Sequence, residues 1–197
     1  IKPHTIYILV APSNAGKSTF AAAVAAECKQ RDVSCAVISS DDCRRELLCD
    51  HEADKLSDRM MPVSSQAFDL LAKRVDLHSQ YPVNTSVIIV DSTGLDRRFQ
   101  DEMIEIAKRN NYNVELILFD YASRSEYFND DMSQLQREVT KRHVDKFRKY
   151  ILPNLPNISK QRIKGLGKYK VTLSNDFVVL KRCKFPKGKY LVCLLYT

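Results

Sequence analysis

With 197 residues, 44% of them hydrophobic, the chain suits one domain with a small appendage and is too apolar to be disordered. No stretch approaches the roughly 20 apolar residues of a membrane span and no signal-peptide pattern opens the sequence, so no membrane partner is expected; the cysteines, read below as reduced thiols, give the expectation of a cytoplasmic protein, and a chain beginning at Ile1 suggests a fragment or processed form. The net charge of +7 is uneven: residues 151–197 hold ten Lys/Arg against the single acid Asp176, giving +9 and leaving −2 for residues 1–150.

Ile6 to Val10 reads as a buried strand running into Ala11-Pro12-Ser13-Asn14-Ala15-Gly16-Lys17-Ser18-Thr19, and the alanine-rich run from Phe20 to Gln30 reads as a helix. Strand, glycine-containing loop and helix in this order form a P-loop of the pattern G-x-x-x-x-G-K-[ST], whose backbone N–H groups and helix N-terminus hold a triphosphate. Ser13, Asn14, Ala15, Gly16, Lys17, Ser18 and Thr19 are the candidate nucleotide-binding residues, with Lys17 on the β- and γ-phosphates, the Ser18 hydroxyl on Mg²⁺ and Thr19 the less exposed neighbour. Ala11 stands where the first glycine is expected and adds only a methyl group. Asn14 replaces another frequent glycine, and asparagine is the non-glycine residue that best tolerates positive φ.

A second strand, Ser34 to Ser39, ends in Ser39-Ser40-Asp41-Asp42-Cys43-Arg44. Open α/β sheets bind ligands at the carboxyl edge, where these carboxylates emerge. An aspartate there can take the proton of an attacking hydroxyl, and an arginine one helical turn on can hold the acceptor's phosphate; Asp41 and Arg44 have that spacing. The competing reading makes Asp41 or Asp42 the cap of a helix beginning near Arg44.

Further strands are expected at Ser86 to Asp91 and Val114 to Asp120, with helices at Ser64 to Ser79, Phe99 to Asn110 and Ser133 to Tyr150. Apolar strands alternating with amphipathic helices predict an α/β fold, a P-loop NTPase-type parallel sheet flanked by helices. Pro153 and Pro156 mark a boundary, giving a kinase domain at 1–155 and a basic β-rich extension, or the start of another module, at 156–197. Within the latter, Tyr169 to Leu173, Phe177 to Lys181 and Tyr190 to Leu195 read as strands. Cys28, Cys35, Cys43, Cys49, Cys183 and Cys193 show no metal spacing and fit reduced thiols. His4, His51, His78 and His143 read as surface or packing residues.

Together these blocks resemble the 5′-hydroxyl polynucleotide kinases, most closely the kinase module of bacterial end-healing kinase–phosphatases. The resemblance rests on Gly16-Lys17-Ser18-Thr19-Phe20, Ile38 to Arg44, Ala67-Phe68-Asp69, Val90-Asp91-Ser92-Thr93 and Ile104-Glu105-Ile106-Ala107, and spans about residues 5 to 150. It implies ATP as donor, Mg²⁺ as cofactor and a nucleic-acid 5′-OH end as substrate in RNA or DNA repair. By the same resemblance Asp41 is the general base, Arg44 binds the acceptor strand's phosphate, and Lys17 and Ser18 serve ATP and Mg²⁺. Asp91 resembles a Walker-B carboxylate near the metal, and a strand-end cap is its alternative. The segment Gln134 to His143 resembles the family's lid helix, and Arg137, Arg142 and Arg124 are candidates for an arginine that offsets charge on the transferring phosphate. The turn Phe128 to Ser133 departs from the family pattern in lacking basic residues. A phosphatase or ligase is expected as a fused or associated partner. The rival readings are a small-molecule kinase acting on sugars or nucleotides and a lapsed kinase serving as an adaptor for nucleic-acid ends.

Overall fold

The computed structural model describes residues 3–53, 59–121, 124–151, 169–174 and 177–182. In chain order the elements are β1 (Thr5–Val10), α1 (Lys17–Gln30), β2 (Cys35–Ser39), α2 (Ser40–Leu47), α3 (Ser64–Ser79), β3 (Val87–Asp91), α4 (Arg97–Arg109), β4 (Asn113–Tyr121), α5 (Gln134–Lys146), β5 (Tyr169–Ser174) and β6 (Phe177–Arg182). A 3₁₀ turn (Arg124–Tyr127) precedes α5 and a π-helical turn (Phe147–Ile151) follows it.

The sheet order is β2-β3-β1-β4-β6-β5. Strands β2, β3, β1, β4 and β6 run parallel, and β5 pairs antiparallel with β6. β1 lies between β3 and β4, which explains why it is apolar at nearly every position: Ile6, Ile8 and Val10 enter one core cluster while Tyr7 and Leu9 enter the other. Edge strand β2 is less buried and leaves Val37 exposed.

Right-handed crossovers put the connection β1→β2 on one face and the connections β2→β3 and β3→β4 on the other. The packing agrees. Phe20 and Val24 of α1 cluster with Tyr7, Leu9 and Ile89, together with Val144 of α5. Leu71 and Val75 of α3 and Phe99 and Met103 of α4 cluster instead with Ile6, Ile8, Ile88 and Val90. The chains leaving β1 and β3 therefore diverge to opposite faces and open a crevice at their carboxyl ends, the place where such sheets bind ligands.

The loop after β3 is pressed against β1. Gly94 has φ 58°, and a Cβ there would lie 2.4 Å from the carbonyl oxygen of Leu9, so glycine is required on both counts. Gln100 fixes the same loop, its buried Nε2 donating to Gly94 O at 2.6 Å.

The parallel α/β fold and the first four strands agree with the sequence reading, with small shifts at element ends. α1 begins three residues before Phe20, directly from the loop. α2 begins at Ser40 rather than near Arg44, because the side chain of Ser39 accepts from the N–H groups of Asp41 and Asp42 and starts the helix there. β5 and β6 cover the first two strands expected in the C-terminal segment. The third, Tyr190 to Leu195, lies outside the described residues, as do the Pro153–Pro156 boundary, Cys183, Cys193 and most of the basic residues. Cys28, Cys35, Cys43 and Cys49 are free thiols, and burial pushes Cys35 up to about 12, with the adjacent Cys28 adding to the effect.

Candidate active site

The phosphate loop turns through two left-handed residues, Asn14 at φ 60° and Gly16 at φ 85°. Asparagine thus takes the conformation that a glycine would otherwise supply. Gly16 caps α1 without a side-chain hydrogen bond, so the first-turn N–H groups of this 14-residue helix are not claimed by a capping side chain. By contrast α2, α4 and α5 are capped by Ser39, Asp96 and Ser133. Helix start and curled loop together fit an anionic group such as a triphosphate.

Lys17 is buried and folds back over the loop, its Nζ donating to Pro12 O at 2.7 Å and Ala11 O at 3.3 Å. The two carbonyl dipoles hold the ammonium, and with it a positive charge, at the loop. Ser18 is exposed at the start of α1 and available as a metal ligand, and Thr19 beside it is exposed as well.

Asp91 closes β3 and is 9% exposed. Its face follows from strand alternation: Val87 and Ile89 pack toward α1, so Asp91, two residues further, belongs to that same face. The register pairs Ser39 with Asp91, and the backbone N–H of Ala11 donates to Thr93 O at 3.0 Å. The ends of β2, β3 and β1 therefore deliver the Asp41 block, Asp91 and the phosphate loop side by side. With strands about 4.8 Å apart, Asp91 lies between two blocks about 10 Å apart. Ser18 and Asp91 are oxygen donors of the type Mg²⁺ prefers, and both belong to the carboxyl edge of the sheet. Next to Asp91, the Ser92 hydroxyl is buried without a hydrogen-bond partner among the described residues.

In the Asp41 block, the candidate acceptor side, Arg44 Nη1 donates to Asp41 Oδ1 at 2.8 Å and reaches Ser40 Oγ at 3.4 Å. Its Nε donates to Ser64 Oγ at 3.2 Å, and the guanidinium lies over the Phe68 ring, 5.6 Å from the centroid. The Ala67-Phe68-Asp69 block thus has a physical task, supporting Arg44 from α3. Asp42 points elsewhere: it is more exposed and pairs with Arg45 at 2.8 Å. The helix cap expected of one of these aspartates belongs to Ser39 instead.

Residues 6–151 match the family model described as an AAA domain (AAA_33). The chain belongs to this family. No curated protein matches. Among solved structures, the Mycobacterium tuberculosis APS kinase CysC in complex with AMPPNP and APS has 13% identity and a TM-score of 0.52, over 96% of this chain and 92% of that one. A gluconokinase from Sinorhizobium meliloti 1021 has 12% identity and a TM-score of 0.52, over 99% and 91%. Chaetomium thermophilum Kti12 in complex with ADP-AlF3 has 15% identity and a TM-score of 0.50, over 72% and 79%. At these identities the likeness is one of fold, and the fold is of the P-loop kinase type. This is coarser than the resemblance to polynucleotide kinases drawn from the motifs.

Helix α5 of this AAA domain, the candidate lid helix, packs on the α1 face, with Thr140 and Val144 buried. Arg137 is committed to the preceding turn, its Nη2 donating to Asn129 O at 2.7 Å and its Nε to Met132 O at 3.3 Å. Arg124 pairs with Asp145. Arg142 is exposed and has no ion pair among the described residues.

The residue that sequence reading missed is His143. It sits against the phosphate loop, its Nδ1 sharing a hydrogen bond with Ser13 Oγ at 2.8 Å. Burial pushes its pKa down to about 4, helped by the charges of Lys17, Arg142 and Lys146, so the imidazole is neutral at pH 7. No spacing signal joins residues 130 positions apart. His4 and His78 do serve packing, stacking on Tyr112 and bonding Thr85 Oγ1 at 2.9 Å.

Proposed function

We propose that this chain is an ATP- and Mg²⁺-dependent kinase that phosphorylates the 5′-OH end of RNA or DNA. The observation that carries the kinase reading is the adjacency of β2, β3 and β1, whose carboxyl ends present Asp41, Asp91 and the phosphate loop in one row. Asp41 takes the proton of the acceptor hydroxyl. The hydroxyl oxygen then attacks the γ-phosphorus in line as the bond to the β–γ bridging oxygen breaks, releasing ADP. Lys17 swings from the carbonyls of Ala11 and Pro12 to the phosphates, and Ser18 with Asp91 would hold Mg²⁺, which supplies charge neutralisation. Arg44 receives the acceptor's phosphate. The polynucleotide substrate rests on the D-x-x-R block and on the basic C-terminal segment.

One observation favours a small acceptor instead: the Arg44 side chain is 13% exposed and already engaged by Asp41, Ser40 and Ser64, an enclosed arrangement suited to a compact molecule. The mycobacterial and Sinorhizobium structures are by name kinases of small acceptors. Transfer of labelled phosphate from ATP to a 5′-OH oligonucleotide, with a sugar and a nucleoside monophosphate run in parallel, separates the readings. Product on the oligonucleotide alone supports the proposal, and product on a small acceptor alone replaces it. ATP binding without any product favours the adaptor. Partnership with a phosphatase or ligase is proposed on the same footing, and co-purification with such an activity tests it.

A further inference from the structure

We propose that His143 is a positioning residue for the phosphate loop, and that its hydrogen bond to Ser13 latches the lid helix to the loop. Where the latch is tested through nucleotide affinity, it rests on the kinase reading above.

Two lid residues on opposite sides of the capped start of α5 touch two consecutive loop residues. His143 bonds Ser13 Oγ at 2.8 Å, and Met132 Sδ receives a long contact of 4.0 Å from Asn14 Nδ2. Both lid residues are held from behind. Arg137 bonds the carbonyls of Asn129 and Met132, and the Ser133–Gln136 capping box fixes the entry to α5. Thr140 and Val144, flanking His143 on the helix, are buried. The loop touched by this rigid lid contains left-handed Asn14 and Gly16, so its curvature is an unfavourable backbone state needing outside support at the non-glycine position.

The chemistry of the contact suits a latch better than a charge. The groups facing His143 are cationic, Lys17 from α1 and Arg142 and Lys146 from α5 itself, and the half-buried ring stays neutral. A neutral imidazole can pair with a hydroxyl while leaving the positive charge of Lys17 for the phosphates. Removing the bond therefore loosens Ser13 and Asn14 without altering the charge of the site.

The test uses the full chain and its variants His143→Ala, His143→Asn, His143→Gln and Ser13→Ala, with the double variant of Ser13→Ala and His143→Ala. Asparagine places a polar atom near the position of Nδ1, whereas glutamine mimics Nε2. In nucleotide-free protein, amide hydrogen exchange over residues 13–17 is expected to quicken about three- to tenfold in His143→Ala, His143→Gln and Ser13→Ala, as for loss of one net hydrogen bond. His143→Asn is expected to recover most of the protection, and the double variant to exchange no faster than the singles. ATP affinity, measured by calorimetry, is expected to weaken in the same order. Parent-like exchange in His143→Ala and Ser13→Ala, or additive effects in the double variant, would overturn the latch. If the parent binds no ATP, the kinase reading falls, and loop exchange still decides the latch.

Discussion

Arg44 donates to Asp41 across one turn of α2 at 2.8 Å while its other nitrogen holds Ser64 on α3, so the candidate base and the candidate acceptor-binding cation form one hydrogen-bonded unit spanning two helices. Asp42, one residue along, faces Arg45 and is 64% exposed. The two aspartates should therefore separate cleanly. Asp41→Asn is expected to lower kcat by about 10²-fold or more with ATP affinity little changed, and Asp42→Asn to fall within a few-fold of the parent. Steady-state transfer kinetics check both. Arg44→Ala should raise KM for the acceptor more than for ATP.

Lys17→Ala should abolish phosphate transfer and also lower stability. The sequence reading places the ammonium toward the phosphates, and in the structure it also bonds two loop carbonyls. Their loss costs about 1–2 kcal/mol, visible as an earlier but still cooperative urea transition. Transfer at the parent rate would remove the loop from the mechanism.

Among the candidate lid arginines, Arg142 is the one whose alanine variant is expected to slow phosphate transfer most. Arg137 is bound to carbonyls of the lid turn and Arg124 to Asp145. Arg137→Ala should loosen residues 129–133, read by proteolysis or hydrogen exchange, and Arg124→Ala should be mild. Equal, small losses of kcat at all three would mean that no arginine of this lid serves the phosphates.

The pH dependence of stability follows from His143. Its folded-state value, about 4, lies below the ordinary 6.5, so the unfolded chain takes up the proton first. Stability is then complete above about pH 6.5 and declines as pH falls toward 4, by on the order of 2–3 kcal/mol. Urea unfolding of parent and His143→Asn at pH 7.5, 5.5 and 4.5 isolates this contribution from the carboxylates, with the variant expected to show the flatter profile.

Gly94→Ala tests the support of the crevice from below. The new methyl would meet Leu9 O at 2.4 Å in a backbone with φ 58°. A loss of roughly 2–4 kcal/mol is expected, measured by chemical denaturation.

The sequence alone determined what depends on neighbours along the chain. The apolar run Ile6 to Val10 announces a buried strand, Gly16-Lys17-Ser18 announces the loop, and Asp41 and Arg44 show one-turn spacing; their contact depends on α2 beginning at Ser40, which puts both on one helix face. Tertiary structure decided what depends on how elements assemble. That Asp91 lies between the phosphate loop and the Asp41 block follows from the order β2-β3-β1, which no single segment encodes. The sequence offered Asp41 or Asp42 as the cap of a helix near Arg44; the geometry of the strand end gave the cap to Ser39, a residue type that favours the position equally. His143 was illegible for the strongest reason. Its partner Ser13 is 130 residues away, and a lone histidine on a charged helix has no pattern until the helix is folded against the loop it holds.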